Sequence, residues 1–363
     1  MPDTHNRRGR HGKVWAVLTA LIAAVATPQA PAHSVASAEL STAYDFSTRY
    51  RTGDRFMGVQ LLGALTLRQV KIDGQLVAEL SALAWDEDEQ ILYAVSDGGR
   101  LFHLLPEFAG GVLSGVAGVA GYPLRDANGE PLRGARADSE GLALENAENG
   151  IRGDSRLVVS FERRPRLVRY TPTGRYVGTI PLPAPLTTVA NYASSNKSLE
   201  SVAHHPSAGW LTAPERPMRD GAPGVIRIWG VAGGYWDYRL REAPGNSLVA
   251  MEALSDGSII TLERGYGLMY LHVVIALRRT GPLSTEPGAM PTISTVAVFD
   301  STQGWRVDNF EGLARHRGLN FFLVSDDNQN RVQRTLLLYI RITDPTPMDY
   351  APPEFDALQT NSR

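Results

Sequence analysis

The chain contains no cysteine. Disulfides, thiolate metal sites, lipid attachment through cysteine and cysteine nucleophiles are therefore excluded. Lysine is nearly missing as well: only Lys13, Lys71 and Lys197 occur, so almost every basic residue is an arginine. There is no G-x-S-x-G elbow, no H-E-x-x-H pair and no phosphate-cradling glycine loop, which leaves a serine-triad esterase without support. His103 and His272 have no partners at metal-binding spacing, and His204, His205 and His316 fall beside turns. The longest early apolar run, Val14 to Ala26, has 13 residues, short of the roughly 20 a membrane helix needs.

What is present begins with a targeting signature. Arg7, Arg8, Arg10 and Lys13 precede that apolar run, and small residues follow it up to Ala38. Residues 1–38 are expected to be a signal peptide, which implies a periplasmic or secreted product with no stable membrane span after cleavage. Removing those four cations together with Asp3 takes the formal net charge from −2 to −5. A mildly acidic exported chain is a poor nucleic-acid binder. Hydrophobic content of 43% and charged content of 20% suit a folded domain. It is expected at 39–342, as a monomer, followed by a proline-rich tail at 343–363.

The body of the sequence is one unit written five times. Phe310-Glu311-Gly312-Leu313-Ala314 returns as Ser139 to Ala143, Leu199 to Ala203, Leu80 to Ala84 and, most degenerately, Val249 to Ala253. After each come a turn, an apolar run and a second acidic element, carrying Asp97, Glu162, Glu215, Glu263 or the pair Asp326-Asp327. Glu200 to Glu215 and Glu311 to Asp326 are both 15 residues apart. A hairpin of two short antiparallel strands brings positions so separated to the same end. A period of about 50 to 60 residues with room for four strands signals radial repetition. The expectation is an all-β fold, a single β-propeller of six blades, with five or seven left open. The alternating run Phe56 to Ile72 would close the ring against strands around Leu336 to Ile342, removing exposed sheet edges.

Repetition puts equivalent positions at one height around the axis, so the acids should meet at one mouth. Such carboxylates raise one another's pKa unless a cation offsets them, and hard oxygen donors in this number suit Ca²⁺. The competing reading is that they pair with the arginines that follow them. In the first reading Asp97, Glu162, Glu215, Glu263, Asp326 and Asp327 hold the metal. Glu140, Glu200 and Glu311 share that work or orient the attacking water. Arg100, Arg164 and Arg264 grip an anion through their planar forks.

The set AVSDGG (94–99), DSEGLAL (138–144), SLESVA (198–203), LERGYG (262–267), NFEGLA (309–314) and LVSDDN (323–328) resembles the phytase-like family of exported bacterial propellers, labelled esterase-like activity of phytase. The resemblance spans roughly residues 55–342. It implies a β-propeller hydrolase acting on a small-molecule phosphoester. A lactonase-type metal-dependent propeller, or a non-catalytic propeller that binds a ligand or partner at its mouth, would use the same acidic ring.

Overall fold

The computed structural model describes residues 35–267 and 272–343. The expected signal peptide therefore lies outside the described residues except for its last few positions, and so does the tail beyond Thr343. Among the described residues no helix is long and apolar enough to cross a membrane.

Short strands, most of them buried along their length, pair antiparallel with their sequence neighbours, and five sheets arranged as blades result, beside a two-stranded ribbon of Lys71–Ile72 with Gln75–Leu76. The first blade is Leu80–Asp86, Ile91–Ser96, Arg100–Ala109 and Val112–Pro123. The second runs from Ser139–Glu145 to Tyr176–Ile180, the third from Leu199–His205 to Tyr235–Arg239 and the fourth from Ser247–Ala253 to Ile293–Asp300. The fifth joins both ends of the fold. Asn309–Arg315, Asn320–Asp326 and Thr335–Ile342 pair in order, and the N-terminal strand Val59–Leu67 adds to the last of them through pairs such as Leu338 with Ala64. Ser41–Ala43 lies outside that strand and covers the edge.

The expected closure is thus formed, but in the same sheet as the Asn309–Asp326 hairpin. The ring has five blades, the lower of the numbers the sequence left open. A strand's pattern shows that it pairs, not which sheet receives it.

Side chains from adjacent blades fill the layers between them. Leu142 of the second blade packs in one cluster with Tyr93, Val95 and Leu101 of the first, and Leu313 of the fifth packs with Leu262 and Ile275 of the fourth. The innermost strands approach backbone to backbone. A Cβ on Gly141 would stand 2.6 Å from the carbonyl oxygen of Glu200, and one on Gly312 3.0 Å from the Cα of Ala82. The corresponding places in the other blades hold Ala82, Ser201 and Ala250. Small side chains there let the five inner strands converge on the axis.

Candidate functional site

Every inner hairpin carries a register shift at the same step: between Leu80 and Ala82, Ser139 and Gly141, Leu199 and Ser201, Leu248 and Ala250, and Phe310 and Gly312. A bulge leaves one residue out of the ladder and re-aims its side chain. The bulged residues are Ser81, Glu140, Glu200, Val249 and Glu311. Second positions, just beyond or at the end of the partner strand, bring Asp97, Glu162, Glu215, Arg264 and Asp326 to the same end.

Of these ten, Asp97, Glu140, Glu162, Glu200, Glu215, Arg264, Glu311 and Asp326 line one cavity of about 820 Å³. Three groups at this opening bring carboxylate oxygens within 4.8 Å of one another: Asp97 with Glu140 and Glu311, Glu162 with Glu200 and Glu215, and, through Asp138 beside the cavity, Glu140 with Glu162. Burial is deep, with Glu140 and Glu311 each 9% exposed and Glu200 4%.

The fourth blade departs from the acidic pattern. The sequence pattern sets Val249 to Ala253 against Phe310 to Ala314, one residue out of the register the strands adopt. The pairing of Leu248 with Glu263 and Ala250 with Leu262 aligns Leu248 to Glu252 with it instead. Because successive strand side chains face opposite ways, one step exchanges the faces. Arg264 then occupies the ring, and Glu263 points into its own blade, where it accepts hydrogen bonds from Tyr238 Oη (2.5 Å), Asn246 Nδ2 (2.6 Å), Arg278 Nη1 (2.9 Å) and the Arg241 amide (3.0 Å). Glu263 is therefore removed from the expected metal set by position.

Asp327 is likewise placed elsewhere. Its two oxygens are filled by the amides of Glu79 and Gln329 and by the side chains of Gln69 and Thr335, at 2.8 to 3.0 Å. It ties the closing blade to the entry of the first. The adjacent Asp326 faces the mouth, as alternation requires.

The expected anion grip is not assembled either. Arg100 is held by Glu79 at 2.6 Å and by Ser96 at 3.0 Å, and Arg164 is exposed away from the cavity lining. Arg264 alone is inside. It donates to Glu311 and, at 3.1 Å, to Glu215. Sequence reasoning missed Lys197, whose ammonium lies 2.7 Å from Glu215. Its signal was available, since it is the only lysine of the propeller beyond Lys71 and stands three residues before Glu200. Asn309 was missed too. It donates to Glu311 at 2.9 Å and to Asp326 at 3.2 Å, and receives the Tyr266 hydroxyl.

The sequence pattern of the phytase-like family, described as esterase-like activity of phytase, matches residues 75–329. The chain belongs to the phytase-like family. No curated protein matches the sequence. Among solved structures, one described as the structure of U3-55K is similar at 10% identity, over 78% of this chain and 98% of that one, with a TM-score of 0.35. A likeness that slight carries no argument here.

In this phytase-like chain the charge at the mouth is strongly unbalanced. Burial, reinforced by Glu311 and Asp326, pushes the Asp97 carboxyl well above its usual range, and burial with Asp97 and Glu200 does the same to Glu140. Glu200 is raised by burial, Glu215 and Glu162. Burial and the neighbouring acids push Glu162 and Asp326 up to about 8. Glu311 is raised by burial against the opposing pull of Arg264. Glu215 alone is lowered, because Arg264 and Lys197 outweigh its burial.

The residues present fit a cation. One Asp97 oxygen is buried with no hydrogen-bond partner, a costly state that a bound ion would relieve. Clustered hard oxygens are the donor set of an oxygen-loving divalent ion. The phytase-like fold thus offers a hydrolase-type propeller whose mouth could hold a metal.

Proposed function

We propose that this phytase-like propeller is an exported, Ca²⁺-dependent hydrolase of a phosphoester, acting in the periplasm or outside the cell. The observation that carries the reading is the pair of carboxylate groups, Asp97–Glu140–Glu311 and Glu162–Glu200–Glu215, linked through Glu140 and Glu162 at one opening. Those six residues would hold the ion, with Asp326 beside them. Bound there, a divalent ion supplies charge for a phosphoryl oxygen and acidity to water.

The chain's own groups do the rest. A carboxylate of the ring, Glu200 or Glu140, accepts a proton from water as the water oxygen bonds to phosphorus and the ester P–O bond breaks. The same carboxyl then returns that proton to the departing alcohol. Arg264 is committed to Glu215 and Glu311, so it fixes those carboxylates rather than gripping substrate. Export is supported by the charged and apolar pattern of the first 38 residues.

The test is hydrolysis of p-nitrophenyl phosphate by purified protein with Ca²⁺ or with chelator. Turnover that chelator abolishes and Ca²⁺ restores supports the proposal. Lactone opening without phosphatase activity, or ligand binding with no turnover on any ester, would overturn it.

A further inference from the structure

The mouth joins an acidic floor to an apolar rim. The deep acids Asp97, Glu140, Glu162, Glu200 and Glu215 come from the first three blades and Glu311 and Asp326 from the fifth, whereas Tyr266, Val273, Val307 and Val332 enter from the fourth and fifth blades and their connections. Val332 is 78% exposed, more than any other large hydrophobic residue among those described. It sits on a fixed loop, not a loose tip. Asn328 and Gln329 hold left-handed φ angles of 46° and 47°, a conformation that needs outside support in non-glycine residues. Asp326 and Asp327 give that support, accepting their amide protons at 2.7 and 3.0 Å. An apolar side chain kept in water at the rim of a deep polar cavity is a surface for the apolar part of a ligand.

The charged side chains point the same way. A substrate bearing phosphates all around would need a cationic wall, and two of the guanidinium groups near the rim are occupied. Arg163 lies 3.1 Å from Asp138, and Arg216 donates to the carbonyls of Gly245 and Asn246. Lys197 and Arg334 are the cations, besides the internal Arg264, that line the cavity.

We infer that the substrate is amphiphilic: one phosphoryl head placed over the acids of the first three blades, and an aryl or alkyl body lying on Tyr266, Val273, Val307 and Val332. The inference rests on the phosphoester reading of the same mouth and narrows it.

The experiment compares 1-naphthyl phosphate, glycerol 3-phosphate and myo-inositol hexakisphosphate as substrates of the purified chain with Ca²⁺. The expected kcat/KM for the naphthyl ester exceeds that for the glycerol ester at least tenfold, mainly through KM. Tenfold is about 1.4 kcal/mol, which removal of about 60 Å² of apolar surface from water provides. Val332→Asp, at an exposed position that folding tolerates, should bring the ratio of the two kcat/KM values down by most of that factor. Equal kcat/KM values, a ratio unmoved by Val332→Asp, or preference for the hexakisphosphate would overturn the inference.

Equilibrium binding of the same three compounds, followed by naphthyl fluorescence and competition, reads the ratio without turnover. A kept affinity ratio with no hydrolysis of any ester would sink the hydrolase reading and leave the apolar wall standing. Equal affinities would sink the wall.

Discussion

Arg264 of the fourth blade and Glu215 of the third form an ion pair of 3.1 Å between neighbouring blades, with only 6% and 1% of their side chains exposed. The same guanidinium reaches Glu311 of the fifth blade, so one cation spans three blades. Burial opposes its charge, but Glu311 and Glu215 keep Arg264 protonated at any accessible pH. Arg264→Gln should cost about 3–5 kcal/mol, the usual result of leaving a buried partner uncompensated. Urea unfolding in chelator measures it, and a loss under 1 kcal/mol would mean that the bridge is not what holds these blades together.

Glu140 and Glu200 should separate stability from ion binding. In Glu200→Gln one of the mutually repelling buried acids is gone, so the metal-free protein should gain thermal stability. Its Ca²⁺ affinity should fall at least tenfold, and turnover of p-nitrophenyl phosphate with it. Calorimetric titration beside thermal unfolding checks both signs. A variant that binds Ca²⁺ as wild type does would take Glu200 out of the metal set.

Glu263→Gln is the contrasting case. Four hydrogen-bond donors converge on this carboxylate inside the blade, so the substitution should cost about 1–3 kcal/mol. Ca²⁺ affinity should stay within twofold of wild type. A large loss of affinity would return Glu263 to the site.

The acid ring also sets a pH dependence. Glu162 and Asp326 stand at about 8, against ordinary values of 4.5 and 3.8, and Asp97, Glu140 and Glu200 are raised as well. Groups whose folded pKa is raised hold protons that the unfolded chain has released. Their stabilisation is complete below about pH 4 and is lost as pH rises through about 8. Glu215 runs the other way, but its window lies below 4.5. Tm in chelator should therefore fall steadily from pH 5 to 9, and Ca²⁺ should recover most of the loss at the alkaline end. A chelated protein that becomes more stable as pH rises over that range would contradict the ring of mutually raised acids.

Gly141 tests the convergence of the inner strands. Its missing Cβ would meet the Ser160 hydroxyl at 2.5 Å and third-blade backbone at 2.6 and 2.9 Å. Gly141→Val should cost about 3 kcal/mol through overpacking and weaken Ca²⁺ binding by moving Glu140 away from Glu200. Gly150, with nothing within 4 Å of an added Cβ, has a left-handed backbone at φ 81°; Gly150→Asn there should be mild by comparison.

Much of this was legible before any coordinates. The hairpin of Asn309–Arg315 and Asn320–Asp326, the return of its pattern in other blades and the pairing of Val59–Leu67 with the last strand all follow from alternation, turn residues and spacing. So does the arrival of Glu140, Glu200 and Glu311 at one end, because strand direction and length are local properties. The register of the fourth copy was hidden, since neither Val249 nor Arg264 is the acid expected at its place and Glu263 stands one step away.

The sequence by itself determined that five similar hairpins exist, which way each runs, and that their acids gather at one end. Only the tertiary structure decided that Val59–Leu67 completes the fifth sheet, that Glu263 and Asp327 turn inward while Arg264 enters the ring, and that Lys197 reaches Glu215. Pairing and turn formation depend on residues a few positions apart. The face a side chain takes beside a bulge, and the neighbour it meets across the axis, depend on strands that closure brings together from distant parts of the chain.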